Sequence, residues 1–329
     1  MTAVHPDVEA MLAAARAADA PPFEAMEPVV CREAYSARRP IVQEPRDEVS
    51  VLRDLSAERP GGAVTLRLYR PLGTTESELL PGLLYLHGGG WVLGNLDTHD
   101  AICCRLANEA RCAVVAVDYR LAPEHPFPAG LEDCTAAYAH VVREARALGV
   151  DPERIAVGGD SAGGNLAAVL ALMGRDGALP PAFYQLLLYP AVDLAMSTES
   201  YAAPTPGMTV TPATMRYFVD HYVPNPGQRT DWRVSPIRAA SLAGSPPALI
   251  VTCGHDPLRD EGRLYAARLE RDGVPVTLLD LSDQTHGMLT LTKFIQTSGS
   301  VLAFAGAMLR DAFRVADTRA SARQQQAAE

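Results

Sequence analysis

From Gly82 onward the chain alternates short apolar runs with amphipathic stretches, and this alternation limits the fold more than anything else in the sequence. Strand-like runs lie at 82–86, 113–118, 155–158, 184–189, 249–252 and 275–281, with helical stretches between or after them at 98–110, 130–147, 162–173, 258–272 and 298–313. Strands that alternate with helices imply crossover connections and hence a parallel sheet. Runs such as LLYL and AVVAV are apolar at almost every position, so both faces of that sheet must be covered. Two further strand-like runs, near 49–53 and 64–70, precede the series. The expected architecture is α/β: a mostly parallel, eight-stranded sheet flanked by helices.

Two regions fall outside the alternation. Residues 7–18 place Val8, Met11, Leu12 and Ala15 on one helical face, with Pro6 suited to a first helical position. Residues 21–45 carry several prolines and no clear period. The second region, 191–240, is rich in Pro, Thr and Ser and contains one well-marked helix. Thr211 can cap it, Pro212 opens it, and Met215, Phe218, Val219 and Tyr222 share a face. A long insertion in a compact domain is usually functional, so 1–48 and 191–240 are expected to form a helical cap, the insertion pairing with the N-terminal helix. The core then comprises 49–190 and 241–315. The polar tail, 316–329, is expected to be disordered.

With 329 residues and 48% hydrophobic composition, the chain can bury a sizeable core plus a smaller layer. Its formal net charge of −10 argues against nucleic acid or an anionic membrane surface as a partner. None of the six cysteines forms a C-x-x-C pair, and no metal-ligand spacing occurs. Cys103, Cys104 and Cys112 lie in apolar surroundings, which suggests buried free thiols and a reducing compartment. The first residues lack a basic start followed by an apolar run, and no stretch is long and apolar enough to span a bilayer. A cytoplasmic protein is expected.

Candidate chemistry concentrates where strands end. Gly159-Asp160-Ser161-Ala162-Gly163 matches G-x-S-x-G between a strand, RIAVG, and an Ala/Leu helix. Such a strand–turn–helix lifts a serine hydroxyl off the sheet, and Gly159 and Gly163 remove Cβ atoms that would crowd the turn. A turn that merely packs, or cradles an anion, is the plainer alternative. No P-loop lysine follows, however, and no G-x-G-x-x-G is present. His87-Gly88-Gly89-Gly90-Trp91 follows the 82–86 run. Its glycines free backbone N–H groups to converge on a developing oxyanion, so Gly89, Gly90 and Ala162 are the expected donors. His87 and Gly88 are expected to shape the loop, and Trp91 to pack beside the site.

A serine nucleophile needs a base and an acid, and in this kind of sheet they follow it in the order acid, then histidine. Of His221, His255 and His286, the last lies in a turn after the 275–281 run, where such a sheet places its site. His286 is the expected base. Asp256 follows the 249–252 run and is favoured as the acid over Asp260, Glu261, Asp280 and Asp283. Asp260 and Glu261 are expected to form a solvated helix start.

Several motifs agree in order: HGGGW at 87–91, DYRLAPEHPFPA at 118–129, GGDSAGGN at 158–165, DPLRDEG at 256–262 and HGM at 286–288. Across about residues 50–310 the chain resembles the hormone-sensitive-lipase-like (bacterial family IV) carboxylesterases, the GDSAG subgroup fitting best. The resemblance implies an α/β-hydrolase fold with a cap and a triad of Ser161, Asp256 and His286. It also implies an oxyanion hole at Gly89, Gly90 and Ala162, and no cofactor. Short- to medium-chain esters are the substrates it implies, and DYRLAPE becomes structural, Arg120 and Glu124 tying loops together. Trp91, Asp160, Tyr189 and Met208 are expected to contact substrate. So are Phe218, Met288 and Leu289. Many relatives carry Phe where this chain has Met288, a position expected near the acyl pocket. A lactonase or amidase would use the same residues, and a small-molecule receptor could share the fold. The triad histidine that such receptors lack is present here. The exposed edge run at 275–281 permits a homodimer.

Overall fold

The apolar runs pair into one sheet. The structure is a computed structural model and describes residues 2–19, 21–203 and 208–328; Met1, Ala20, residues 204–207 of the expected cap and Glu329 of the tail lie outside these. Among the described residues the strands are β1 (Val51–Arg59), β2 (Gly62–Arg70), β3 (Leu80–Leu86), β4 (Ala113–Asp118), β5 (Val150–Asp160), β6 (Gln185–Leu188), β7 (Ala248–His255) and β8 (Val276–Thr285). They form a single eight-stranded sheet in the order β1-β2-β4-β3-β5-β6-β7-β8. β2 runs antiparallel to β1 and to β4, and every other pairing is parallel. This is the α/β-hydrolase fold.

Crossover helices cover both faces: α4 (Leu96–Ala110), α5 (Ala129–Arg143), α6 (Ala162–Arg175), α8 (Arg259–Arg271) and α9 (Thr297–Ala328). Side chains on alternating positions of β3 feed two separate cores, Leu84 and Leu86 on one face, Leu83 and Tyr85 on the other. Continuous apolar strands are thereby accounted for, since neither face meets water.

α9 continues through the segment read as a tail, to Ala328. Residues 316–328 are dominated by Ala, Arg and Gln, all three strong helix formers.

The N-terminal segment forms α1 (Pro6–Ala18), a 3₁₀ turn (Phe23–Ala25), α2 (Pro28–Ala37) and α3 (Arg39–Val42). Within 21–45, where no period is legible, α2 is nonetheless helical. The insertion between β6 and β7 carries α7 (Pro212–Tyr222), with the Thr211 side chain accepting from the Thr214 N–H as its cap. The expected partner of α7 needs correction. Its contacts with the N-terminal segment go to the 3₁₀ turn rather than to α1: Thr214 Oγ1 donates to Glu24 (2.8 Å), Tyr217 OH donates to the Met26 carbonyl (3.0 Å), and Phe218 lies 6.1 Å from Phe23. α1 instead buries Val8, Met11 and Leu12 in the opposite core and is held near β8, where the His5 N–H donates to the Asp283 carbonyl. Its apolar face matches that core, so the periodicity was satisfied without touching the insertion.

Charged ties join these layers. Arg32 on α2 holds Glu124 with two hydrogen bonds (2.8 and 2.5 Å) and also donates to the carbonyls of Val92 and Ala122. Arg120 pairs with buried Asp133 on α5 at 2.9 Å. Arg120 and Glu124 therefore do tie loops together. Glu261 is a second correction. It is fully buried rather than solvated, and Oε1 accepts from Val192 N (2.7 Å) and Asp193 N (3.1 Å) at the start of the insertion. Burial pushes its carboxyl well above the usual range, those two bonds opposing. All six cysteines are free and buried. No helix among the described residues is long and apolar enough to cross a membrane.

Candidate active site

β5 runs directly into α6 through Ser161, which adopts φ 55° and ψ −115°. A non-glycine residue at positive φ is strained and persists only where surrounding structure holds it. The restraints are visible: Ser161 N–H donates to the Leu188 carbonyl (2.8 Å), and its carbonyl accepts from Asn165 N and Ala191 N. Glycine is required on both sides, because a Cβ on either Gly159 or Gly163 would collide with the carbonyl oxygen of Leu86. The turn can pass so close beneath β3 only without those methyl groups.

His286 is delivered by an irregularity at the far side of the sheet. β7 and β8 stay in register to Cys253↔Leu281, then shift so that His255 faces Thr285. Gly254 sits at the shift, where a Cβ would collide with the Ser282 carbonyl. The two extra residues on β8 advance its end, and His286 arrives beside Asp256. This also explains why β8 extends past 281, the expected limit.

The three side chains form a line. His286 Nε2 lies 2.8 Å from Ser161 Oγ, and His286 Nδ1 lies 2.7 Å from Asp256 Oδ2. The other Asp256 oxygen accepts from the Leu258 N–H at 2.8 Å, which fixes the carboxylate. All three are at least 92% shielded from solvent, with exposures of 8% (Ser161), 4% (His286) and 3% (Asp256). With Nδ1 donating to the carboxylate, Nε2 is the ring nitrogen free to accept the serine proton.

The glycine loop after β3 faces this line. Gly89 (φ 122°) and Gly90 (φ 61°) occupy backbone conformations that favour glycine. Gly88 N–H is already taken by Asp160 Oδ1 (3.0 Å). Among the described residues, the N–H groups of Gly89, Gly90 and Ala162 donate to no acceptor. They are therefore available to an oxyanion.

Asp160 lines the cavity, as expected for a substrate contact, yet its carboxylate also holds the loop. Oδ1 accepts from Tyr85 OH (2.9 Å) and Gly88 N and lies 3.3 Å from His99 Nε2. Burial would raise its carboxyl, but His99, Tyr85 and His87 together hold it below the ordinary range. His87 shapes the loop, its Nδ1 against the Gly88 carbonyl (2.8 Å) and its ring stacked on Tyr119 at 4.3 Å. Burial, with His99 beside it, pushes the His87 imidazole down to about 3.

The cavity beside Ser161 has a volume of about 50 Å³. Loop and elbow contribute Gly89, Gly90, Asp160 and Ser161. The insertion contributes Thr209, Val210, Met215 and Phe218, the last so close over Gly90 that a Cβ there would strike its ring. The β8 end adds His286, Gly287, Thr290 and Leu291, and the N-terminal segment adds Tyr35 and Arg38.

Phe218 lines the cavity, whereas five other residues expected to contact substrate do not. Trp91 is buried and stacked on Tyr222 (4.6 Å, 3°), so it packs loop against α7. Met208 turns inward, its sulfur 3.3 Å from Thr285 Oγ1, leaving its neighbours to the cavity. Met288 and Leu289 are also buried; Met288 lies against Cys253 (3.9 Å between sulfurs). After Gly287 (φ 73°) the chain winds into a 3₁₀ turn, which directs Met288 and Leu289 to the core and the following residues to the cavity. Tyr189 is buried as well and does not line the cavity; its ring lies 4.8 Å from that of His286 and supports it. Tyr35 and Arg38 were missed because 21–45 carries no legible period. Among the described residues no group of three or more His, Cys, Asp or Glu side chains is arranged to hold a metal ion.

A family model described as alpha/beta hydrolase fold matches residues 83–290. The carboxylic ester hydrolase LipN of Mycobacterium tuberculosis is 44% identical over 72% of this chain and 64% of its own length. An ethyl acetate hydrolase of Pseudomonas putida is 36% identical over 89% of this chain and 94% of that protein. Among solved structures, an α/β-hydrolase enzyme from the metagenome of Lake Arreo, Spain, superposes with TM-score 0.90 at 39% identity, covering 94% of this chain and 98% of that one. A hyperthermophilic esterase from the archaeon Pyrobaculum calidifontis gives 0.88 at 37% identity, covering 94% and 99%.

Proposed function

This chain belongs to the hormone-sensitive-lipase-like branch of the α/β-hydrolase fold family, and we propose that it hydrolyses short- to medium-chain carboxylic esters with Ser161 as nucleophile. The observation that carries this reading is the line Ser161 Oγ–His286 Nε2–Asp256 Oδ2, at 2.8 and 2.7 Å, beside three unengaged N–H groups.

In the proposed reaction His286 takes the Ser161 proton as the oxygen attacks the ester carbonyl. Asp256 stabilises the imidazolium, and the N–H groups of Gly89, Gly90 and Ala162 receive the oxyanion. The same proton passes to the departing alcohol. Water, deprotonated by His286, then releases the acid from the acyl-enzyme. The confined cavity, closed from above by Phe218 and Val210, supports a limit on acyl length. The six free cysteines support a reducing, cytoplasmic setting. The edge strand β8 supports pairing of two copies.

The test is turnover of p-nitrophenyl acetate through decanoate beside Ser161→Ala. Activity should peak at short to medium chains, and the variant should lose at least about 1,000-fold in kcat. Full retention in Ser161→Ala would overturn the reading.

A further inference from the structure

We propose that Arg38 recognises a free carboxylate on the substrate, so that the preferred esters carry a second, ionised carboxyl group. The proposal rests on the ester-hydrolase reading of the same cavity.

Arg38 lines the same cavity as Ser161 and His286. Among the described residues it pairs with no carboxylate, in a chain with 39 acidic and 29 basic side chains. Two other arginines that brace the segments around the site do have acids: Arg32 has Glu124 and Arg120 has Asp133. An uncompensated guanidinium in the wall of a cavity is therefore out of keeping with its surroundings.

Its position is also held. The guanidinium carbon lies 4.5 Å from the Tyr35 ring centroid and 5.3 Å from that of Phe23. Phe23 in turn packs on Phe218, which overhangs Gly90. Stacking of this kind engages the faces of a guanidinium and leaves its in-plane N–H groups to donate. A fork of such donors matches a carboxylate, and a group already ordered loses little entropy on binding one. The acid lining the same cavity, Asp160, is bound to Tyr85, Gly88 and His99 and forms no ion pair with Arg38. At net charge −10 the chain as a whole repels anions, and a local cation is what would admit one.

Two matched pairs separate the side on which the carboxylate sits. Monoethyl adipate against its terminal amide places the charge on the acyl part; 4-acetoxybenzoate against 4-acetoxybenzamide places it on the alcohol part. Release of acid is followed by pH-stat. In the wild type, kcat/KM should favour the carboxylate member of one pair by about tenfold at low salt, since charge-assisted bonds are strong but a partly exposed cation is screened. The advantage should shrink in 0.5 M NaCl. Arg38→Gln should bring the ratio to about one, and Arg38→Lys should keep part of it. Each ratio is taken within one protein, so a loss of folded enzyme cancels. Equal turnover of both members in the wild type, or an unchanged ratio in Arg38→Gln, would overturn the assignment. Failure to hydrolyse any of the four esters would instead overturn the ester-hydrolase reading on which it rests.

Discussion

Replacing Asp160 with Asn tests whether the oxyanion loop is positioned by a buried carboxylate. Oδ1 of Asp160 takes a hydroxyl from Tyr85 at 2.9 Å and the Gly88 N–H at 3.0 Å, with His99 Nε2 at 3.3 Å, at a site only 3% exposed. Asn has nearly the same shape and still offers an oxygen, so the perturbation removes charge and little else. Hydrogen bonds to an ionised acceptor are about twice as strong as neutral ones, so two weakened bonds cost about 2–3 kcal/mol. The desolvation penalty of the carboxylate disappears at the same time and offsets part of this. A net loss of about 1–2 kcal/mol remains, a fall in Tm of a few degrees in a domain of this size. The effect on rate should be larger than that on stability. Gly88 is covalently followed by the two donors Gly89 and Gly90, and complete loss of one oxyanion donor costs about 100- to 1,000-fold in kcat. A displaced rather than absent donor should cost about 10- to 100-fold in kcat, with KM for p-nitrophenyl butyrate changed by less than about threefold. The matching assay is steady-state turnover with a thermal melt on the same preparation. Retention of kcat within twofold at an unchanged Tm would refute the argument that this carboxylate holds the loop.

Gly163→Ala should abolish activity or folding, because the added methyl collides with the Leu86 carbonyl; Gly177→Ala, at a position where a Cβ meets nothing, should cost about 1–2 kcal/mol and leave kcat alone. Expression level, melting temperature and kcat distinguish the two. His87 predicts an acid limb of stability. Burial and then His99 lower its folded value from 6.5 to about 3. Because the folded value lies below the unfolded one, the contribution of the neutral ring is complete above about pH 6.5 and is lost as pH falls toward 3. Urea unfolding at pH 7, 6 and 5 should show a decline approaching about 1.4 kcal/mol per pH unit from this group, and His87→Asn should flatten it. An undiminished slope in the variant would remove His87 as its source.

Much of the site was legible because its parts sit at strand ends, and strand ends can be read. The elbow, the glycine loop, Asp256 and His286 all follow apolar runs, and Gly159 and Gly163 are demanded by the turn itself. The cap was harder. α7 announced itself through Thr211, Pro212 and a spaced apolar face, whereas α2 did not. Its only buried residues are Pro28 and Cys31, too few to leave a periodic trace, and with α2 went Tyr35 and Arg38. Glu261 was misjudged for a related reason. A charged residue in the first turn of a helix looks solvated until its two backbone donors, 69 and 68 residues upstream at Val192 and Asp193, are known.

Sequence alone determined the sheet, its covered faces and the three side chains proposed to react, since local periodicity and tight turns impose their own residue types. Tertiary structure decided which neighbours of those side chains meet a substrate. Trp91, Met288 and Leu289 belong to or adjoin motifs in the chain, yet they, like Tyr189 and Met208, face the packed interior. One residue along a strand or turn reverses the direction of a side chain, and adjacency in the chain says nothing about that. The cavity beside Ser161 is lined instead by Tyr35, Arg38, Val210 and Phe218, drawn from two segments far apart in the chain and brought together only by the fold.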